Sequence, residues 1–184
     1  TASSQNINLN VSYSTPIRKL TIKSRIFGNM SVNKSINFIN AFQNEVISTR
    51  PRLGLELENL KNKVVSLVVG SEIAYEQNRY SQSTALNTSF TTNRYWSNLL
   101  VQFGKGWTID GNVNHTVYSQ ERFGEDNTLT FVNSSFSKRF YKDRITAAFR
   151  INDILNTGSG ISRAIGDTYV EEVFTNAIGR YLMF

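Results

Sequence analysis

The sequence predicts an all-β fold, an antiparallel transmembrane β-barrel of about nine long strands. Three observations carry that reading. Apolar and polar residues alternate with period two along most of the chain, the signature of a strand with two different faces. Several of these runs extend over roughly 12 to 14 residues, whereas strands of soluble domains usually run about 5–6 and a tilted bilayer-crossing strand needs about 9–11. The connections also alternate, short turns with longer polar segments, as in barrels with short turns on one membrane side and loops on the other.

Taken in order, Ile7, Leu9, Val11 and Tyr13 alternate with Asn6, Asn8, Asn10 and Ser12 before a turn at 14–18. Leu20, Ile22, Ile26, Met30 and Val32 then oppose Lys19, Thr21, Lys23, Arg25, Asn29 and Ser31. In the third segment Ile47, Thr49, Leu53, Leu55 and Leu57 oppose Ser48, Arg50, Arg52, Glu56 and Glu58, with Pro51 weakening the strand locally. The fourth sets Val65, Leu67, Val69, Ile73 and Tyr75 against Ser66, Gly70, Glu72 and Glu76. The fifth sets Tyr95, Leu99, Val101 and Phe103 against Arg94, Asn98 and Gln102, and the sixth Trp107, Ile109, Val113 and Val117 against Thr108, Asp110, Asn112, Asn114 and Thr116. The seventh and eighth carry Val132 and Phe136, then Ile145, Ala147, Phe149 and Ile151, with Asn133, Ser135, Ser137, Thr146, Arg150 and Asn152 opposite. A ninth strand is expected from near Tyr169 to Phe184. Short turns fall near 14–18, 59–62, 104–106 and 141–143, and long connections near 33–42, 78–90, 120–127 and 156–168.

The alternation has a physical reading. Hydrocarbon satisfies no backbone N–H or C=O, so a sheet in a membrane closes into a barrel. One face then meets lipid and the other a wet lumen. Arginine or lysine at the bilayer midplane costs about 2–4 kcal/mol, so the face carrying Arg25, Arg50, Arg52, Glu72, Glu76, Arg94, Asp110 and Arg150 is assigned to the lumen. Tyr13, Phe103, Trp107, Phe140 and Tyr141 beside the short turns, and Tyr75, Tyr80, Tyr95 and Trp96 toward the long loops, read as two interfacial aromatic girdles.

Composition excludes several alternatives. The 184 residues are 40% hydrophobic and only 18% charged, with 12% aromatics, which is neither a disordered composition nor that of an ordinary soluble domain. Cysteine is absent, which removes disulfides, thiol catalysis and cysteine-ligated metals. No stretch approaches the ~18 apolar residues of a membrane helix, and Thr1-Ala2-Ser3-Ser4-Gln5 is not a signal peptide. The net charge of +6 is spread over turns such as Arg18-Lys19, Lys61-Asn62-Lys63 and Lys138-Arg139, without the clustered stripe that nucleic-acid binding requires.

No catalytic, cofactor or metal residues are expected. His115, the single histidine, falls on the apolar parity toward the loop end and has no ligand partners at zinc spacing. Glu121, Glu125 and Asp126 crowd one connection without the spacing of a calcium loop. Glu171 and Glu172 are adjacent and so point to opposite faces of a strand. Gly158-Ser159-Gly160 lacks the lysine of a phosphate loop. Asp153 reads as a strand-end hydrogen-bonding residue. Ligand contacts, if the chain makes them, are expected from aromatic and basic side chains in surface loops, namely Phe38, Arg79, Tyr80, Arg122 and Phe123.

The stretch Thr130–Phe140, the turn Tyr141-Lys142-Asp143-Arg144 and the run Ile145–Asn156 with Asn152-Asp153-Ile154-Leu155-Asn156 resemble the penultimate hairpin of TonB-dependent receptors, most closely the Bacteroidetes outer-membrane β-barrel group. Gly179-Arg180-Tyr181-Leu182-Met183-Phe184 resembles the start of that group's final strand. The likeness is best over 94–184 and looser over 1–93. It implies that residues 1–184 are the C-terminal segment of the barrel of a larger, ~22-stranded transporter, in the outer membrane of a Gram-negative bacterium, with the plug domain and TonB box outside this segment. It further implies nutrient uptake driven by the TonB system, outer-membrane lipid around the wall, and plug contacts from lumenal Arg25, Arg50, Arg52, Arg94 and Arg150. The alternatives are a non-transporting scaffold serving surface lipoproteins or other envelope proteins, and a soluble all-β adhesin-type domain.

Overall fold

The computed structural model describes residues 4–39, 42–60, 64–82, 84, 87–119, 128–142, 144–157, 161–165, 170–174 and 180–183. Eight strands follow one another as β1 (Ser4–Ile17), β2 (Ile22–Ile39), β3 (Phe42–Asn59), β4 (Val65–Tyr80), β5 (Thr88–Phe103), β6 (Trp107–Tyr118), β7 (Thr128–Phe140) and β8 (Ile145–Asn152). Each pairs antiparallel with the next, and β11 (Tyr181–Met183) adds to β8, giving a nine-stranded sheet with β1 and β11 as its edges. The sheet is not closed. A separate hairpin pairs β9 (Ile161–Ile165) with β10 (Val170–Phe174).

Strand length is the first departure from soluble architecture: β2 and β3 have 18 residues each, and β4 and β5 have 16. The register confirms the two-faced pattern. Ile7, Leu9 and Tyr13 lie opposite Val32, Met30 and Ile26. Ile26 opposes Leu55, and Leu53 opposes Ile73. This apolar face is bare, with Leu9 60% exposed and Tyr13 66% exposed. Among the described residues only Val46, Tyr80, Phe90 and Leu129 are buried apolar residues. A soluble protein of this size would cover such a face with a second layer.

Three expectations are corrected. The first turn lies at 18–21, not 14–18, because β1 runs through Pro16; an edge strand tolerates a proline's missing N–H. Segment 33–42 is not a loop, since β2 and β3 stay paired up to Ile39 and Phe42. The run of Asn33, Lys34 and Ser35 breaks the apolar alternation there, although Ile36 and Phe38 resume the parity of Met30 and Val32. The local weakening expected at Pro51 is present: β3 continues through it, but the β3–β4 pairing skips Arg50 and Pro51 and resumes at Arg52. Finally, the described part of the expected ninth strand divides between two sheets: β10 pairs in the hairpin with β9, and β11 pairs with β8 from Tyr181.

The Asn152–Asn156 element is a hook at the end of β8. Asp153 and Asn156 both adopt left-handed backbone, with φ of 48° and 54°, a region that Asn and Asp enter more easily than other side chains. The Asn133 side chain accepts from Asp153 N at 2.9 Å, Asp153 Oδ1 accepts from Thr157 N at 3.3 Å, and Ile154 N donates to Val132 O at 2.8 Å. The chain is thereby turned and re-attached to β7. Asp153 is 3% exposed. Asp153→Ala is expected to lower stability by about 1–2 kcal/mol, from the left-handed φ and the lost buried hydrogen bond. Asp153→Asn should lose less, and urea midpoints of the detergent-folded barrel would rank the two.

Candidate functional site: the lumenal wall

The face opposite the bare apolar one is polar along its length and internally paired. Near the short turns Lys23 Nζ lies 3.9 Å from Glu58 and Arg25 3.6 Å from Glu56, both across the β2–β3 pairing. Toward the loops Arg50 Nε lies 2.7 Å from Glu76 Oε1, where the β3–β4 pairing skips Pro51. Asparagines continue the network on β5 and β6: Asn112 donates to Asn98 at 2.5 Å and Asn114 to Asn112 at 2.7 Å. At the exposed β1 edge Asn29 donates to Asn10 at 2.6 Å. Cross-strand pairs on one face are the unit of sheet stabilisation, and here they need water or protein beside them, never hydrocarbon.

Of the aromatic rings on this polar face, two lie over glycines. Phe27 on β2 lies opposite Gly54 on β3, and Trp96 on β5 lies opposite Gly70 on β4. Both rings lie down over the glycine. A Cβ at Gly54 would fall 2.2 Å from Phe27 Cζ, and one at Gly70 2.1 Å from Trp96 Cζ2. The rings thus come inward from the two flanking strands over bare backbone, and their centroids are 6.4 Å apart at 46°. Covering a strand glycine with an aromatic ring replaces the packing the glycine lacks. Arg25 sits 5.1 Å over the Phe27 ring, and Arg94 5.9 Å over that of Trp96, a cation–π geometry. Together with Glu56, Glu72 and the three asparagines these groups line an open recess of about 470 Å³. Chemically it offers flat apolar rings ringed by donors and acceptors of both charges. Among the described residues no three His, Cys, Asp or Glu side chains gather to hold a metal ion.

The structure distributes the sequence-derived candidates unevenly. Arg25, Arg50, Arg52, Arg94 and Arg150 all fall on the polar face by register. Arg25 and Arg94 line the recess, Arg50 pairs with Glu76, and Arg52 and Arg150 are exposed. Phe38, Arg79 and Tyr80 are in strands and not in loops: Phe38 falls within β2, its side chain outside the described residues, and Arg79 and Tyr80 end β4. Tyr80 is 6% exposed, packed at the loop end because Gln82 N reaches back to Asn44 and Tyr80 N to Asn87. Arg122 and Phe123 lie outside the described residues, as do Glu121, Glu125 and Asp126. His115 stands on the apolar face, 6.1 Å from the Tyr95 ring and bonded through Nδ1 to Thr130 at 2.7 Å. Trp96 leaves the expected loop-side girdle for the polar face. Phe27 was readable only as an aromatic on the wrong parity, and its signal was a glycine at matching register on the next strand.

A single sheet with one exposed apolar face and one wet, charge-paired face separates lipid from water, which makes this the wall of a membrane β-barrel. The chain matches the outer membrane protein beta-barrel family over residues 1–183 and belongs to that family. Neither the curated proteins nor the solved structures contain a match to it.

Proposed function

We propose that this outer-membrane barrel segment belongs to a TonB-dependent transporter of the Bacteroidetes type, a ~22-stranded barrel with a plugged lumen, and that it supplies wall, lumen and surface loops for uptake of a scarce nutrient without catalysing a reaction. The observation that supports this reading best is the lumenal wall. It is lined by paired charges and asparagines and carries an unfilled recess between Arg25, Phe27, Arg94 and Trp96. The plug, the TonB system and the surrounding lipid are the partners this reading requires. Ligand contacts from Arg79 and from Arg122 and Phe123 are part of the same proposal.

The reading is tested in cells that carry the full-length protein. Accumulation of a labelled solute should depend on the protein and stop when TonB is removed or the proton gradient is dissipated. Arg94→Ala with Trp96→Ala should reduce that accumulation while leaving the amount of heat-modifiable barrel in the outer membrane unchanged. Solute accumulation that is the same with and without the protein, and indifferent to TonB, would leave a scaffold in its place.

A further inference from the structure

The turn-side half of the apolar face carries a charged residue on a strand. Lys138 stands near the end of β7, opposite Trp107 on β6 and Ala147 on β8. Its Nζ lies 4.4 Å from the Trp107 ring and 5.9 Å from the Phe140 ring, and it donates to the Lys105 carbonyl of the adjacent turn. No carboxylate pairs with it among the described ion pairs. Beside it an open slot of about 420 Å³ runs along the same face between Trp107, Phe136, Phe140 and Phe149, floored by Ala147. On this face β8 offers Ala147 beside Lys138, between the rings of Trp107 and Phe149. Trp107 and Phe136 stack at 4.8 Å and form one wall.

We propose that this slot is a specific site for an anionic glycerophospholipid, with an acyl chain against Ala147 and the aromatic walls and the phosphate at Lys138. An ammonium has three donors; one is held by the Lys105 carbonyl, which leaves two for a phosphate. The slot accounts for the chain and the charge for the phosphate. The exposed turn residues Lys105, Lys142 and Arg144 bring further positive charge to the mouth of the slot. They outnumber Asp143, which lies in the same turn but outside the described residues. Short barrel turns face the periplasm, so the site opens to the periplasmic leaflet. It rests on the membrane placement of this face and not on transport.

The test uses the full-length protein purified in mild detergent, exchanged into mixed micelles of phosphatidylglycerol or phosphatidylcholine, with retained lipid read by native mass spectrometry. The wild type should retain phosphatidylglycerol in preference to phosphatidylcholine. Lys138→Gln should lower phosphatidylglycerol retention about fivefold, the size expected for one interfacial lysine, while Lys138→Arg keeps it. Ala147→Leu, which fills the slot and leaves the charge, should lower it as well. Equal retention of both lipids by the wild type, or retention unchanged in Lys138→Gln, would overturn the proposal and leave only a general apolar annulus. Lys138→Gln alters no packed core, so it decides the question even if Ala147→Leu fails to assemble.

Discussion

Gly70→Ala is expected to destabilise the barrel when Trp96 is present and to stabilise it slightly when Trp96 is gone. The new Cβ would lie 2.1 Å from Cζ2 and 2.2 Å from Cε2 of the indole. Those are ring atoms lying flat on the strand and not the tip of a flexible chain, so the whole ring must lift. Lifting removes its contact with the β4 backbone and disturbs its neighbours Phe27 and Arg94. Overpacking of this kind costs about 1–3 kcal/mol. In a Trp96→Ala background nothing occupies the space, and the only remaining effect is that glycine is a poor strand residue, worth a few tenths to about 1 kcal/mol in alanine's favour. The sign of the Gly70→Ala effect should therefore reverse between the two backgrounds. Urea titrations of the four proteins folded into detergent, followed by the heat-dependent band shift, would measure it as a double-mutant cycle. An equal penalty in both backgrounds would mean that the ring does not lie on Gly70. Gly54, 2.2 Å from Phe27 by the same construction, should behave alike.

Which parts of this wall were legible in the sequence follows from which residues carry a face. Ile7, Leu9, Val11 and Tyr13 alternate with asparagines, and Val65 to Tyr75 with Ser66, Gly70 and Glu72. Both runs fixed which side meets lipid before any register was known, because a lipid-facing strand tolerates few exceptions. The loop-side ends of β2 and β3 hid for the same reason. Asn33, Lys34, Ser35 and Asn37 sit in a ladder that continues to Ile39, but Lys34 breaks the apolar parity that Val32, Ile36 and Phe38 otherwise share. Instead Lys34 pairs with Glu45 at 2.8 Å. The lumenal recess was half legible. Parity groups its arginines on one face, and the register keeps them together, whereas its two rings needed the register, since a ring on the wet side is intelligible only once Gly54 and Gly70 are known to lie beneath. The hook at Asp153 was read as strand-end hydrogen bonding, and the left-handed turns at Asp153 and Asn156 give that reading its geometry. The hairpin of β9 and β10 had no such marker: β9 fell in the long connection expected near 156–168, and β10 in the expected ninth strand.

Two adjacent valines separate the faces most sharply. Val69 lies on the exposed apolar side of β4, opposite Leu57 and Ser97, and Val68 on the other side, opposite Glu58 and Asn98. The outward apolar run on β4 extends from Val65 to Tyr75, matching the about 9–11 residues that a tilted strand spends in hydrocarbon, so Val69 lies near its middle. Val69→Arg is expected to cost about 2–4 kcal/mol, the penalty for a guanidinium held at the midplane of a bilayer. Val68→Arg meets water and the carboxylate of Glu58, and its cost should stay below about 1 kcal/mol. Urea unfolding of each variant from phospholipid vesicles would read the difference. Because side chains alternate strictly, a slip of one residue in β4 would exchange the two results completely. A larger penalty at 68 than at 69 would therefore invert the assignment of lipid and lumen for the whole sheet, since every neighbouring strand is tied to β4 through its register. Equal small penalties at both would mean that neither face meets hydrocarbon. The Lys138 slot shares the face of Val69 and the Trp96 recess that of Val68, so this one pair of substitutions decides on which side of the wall each of them stands.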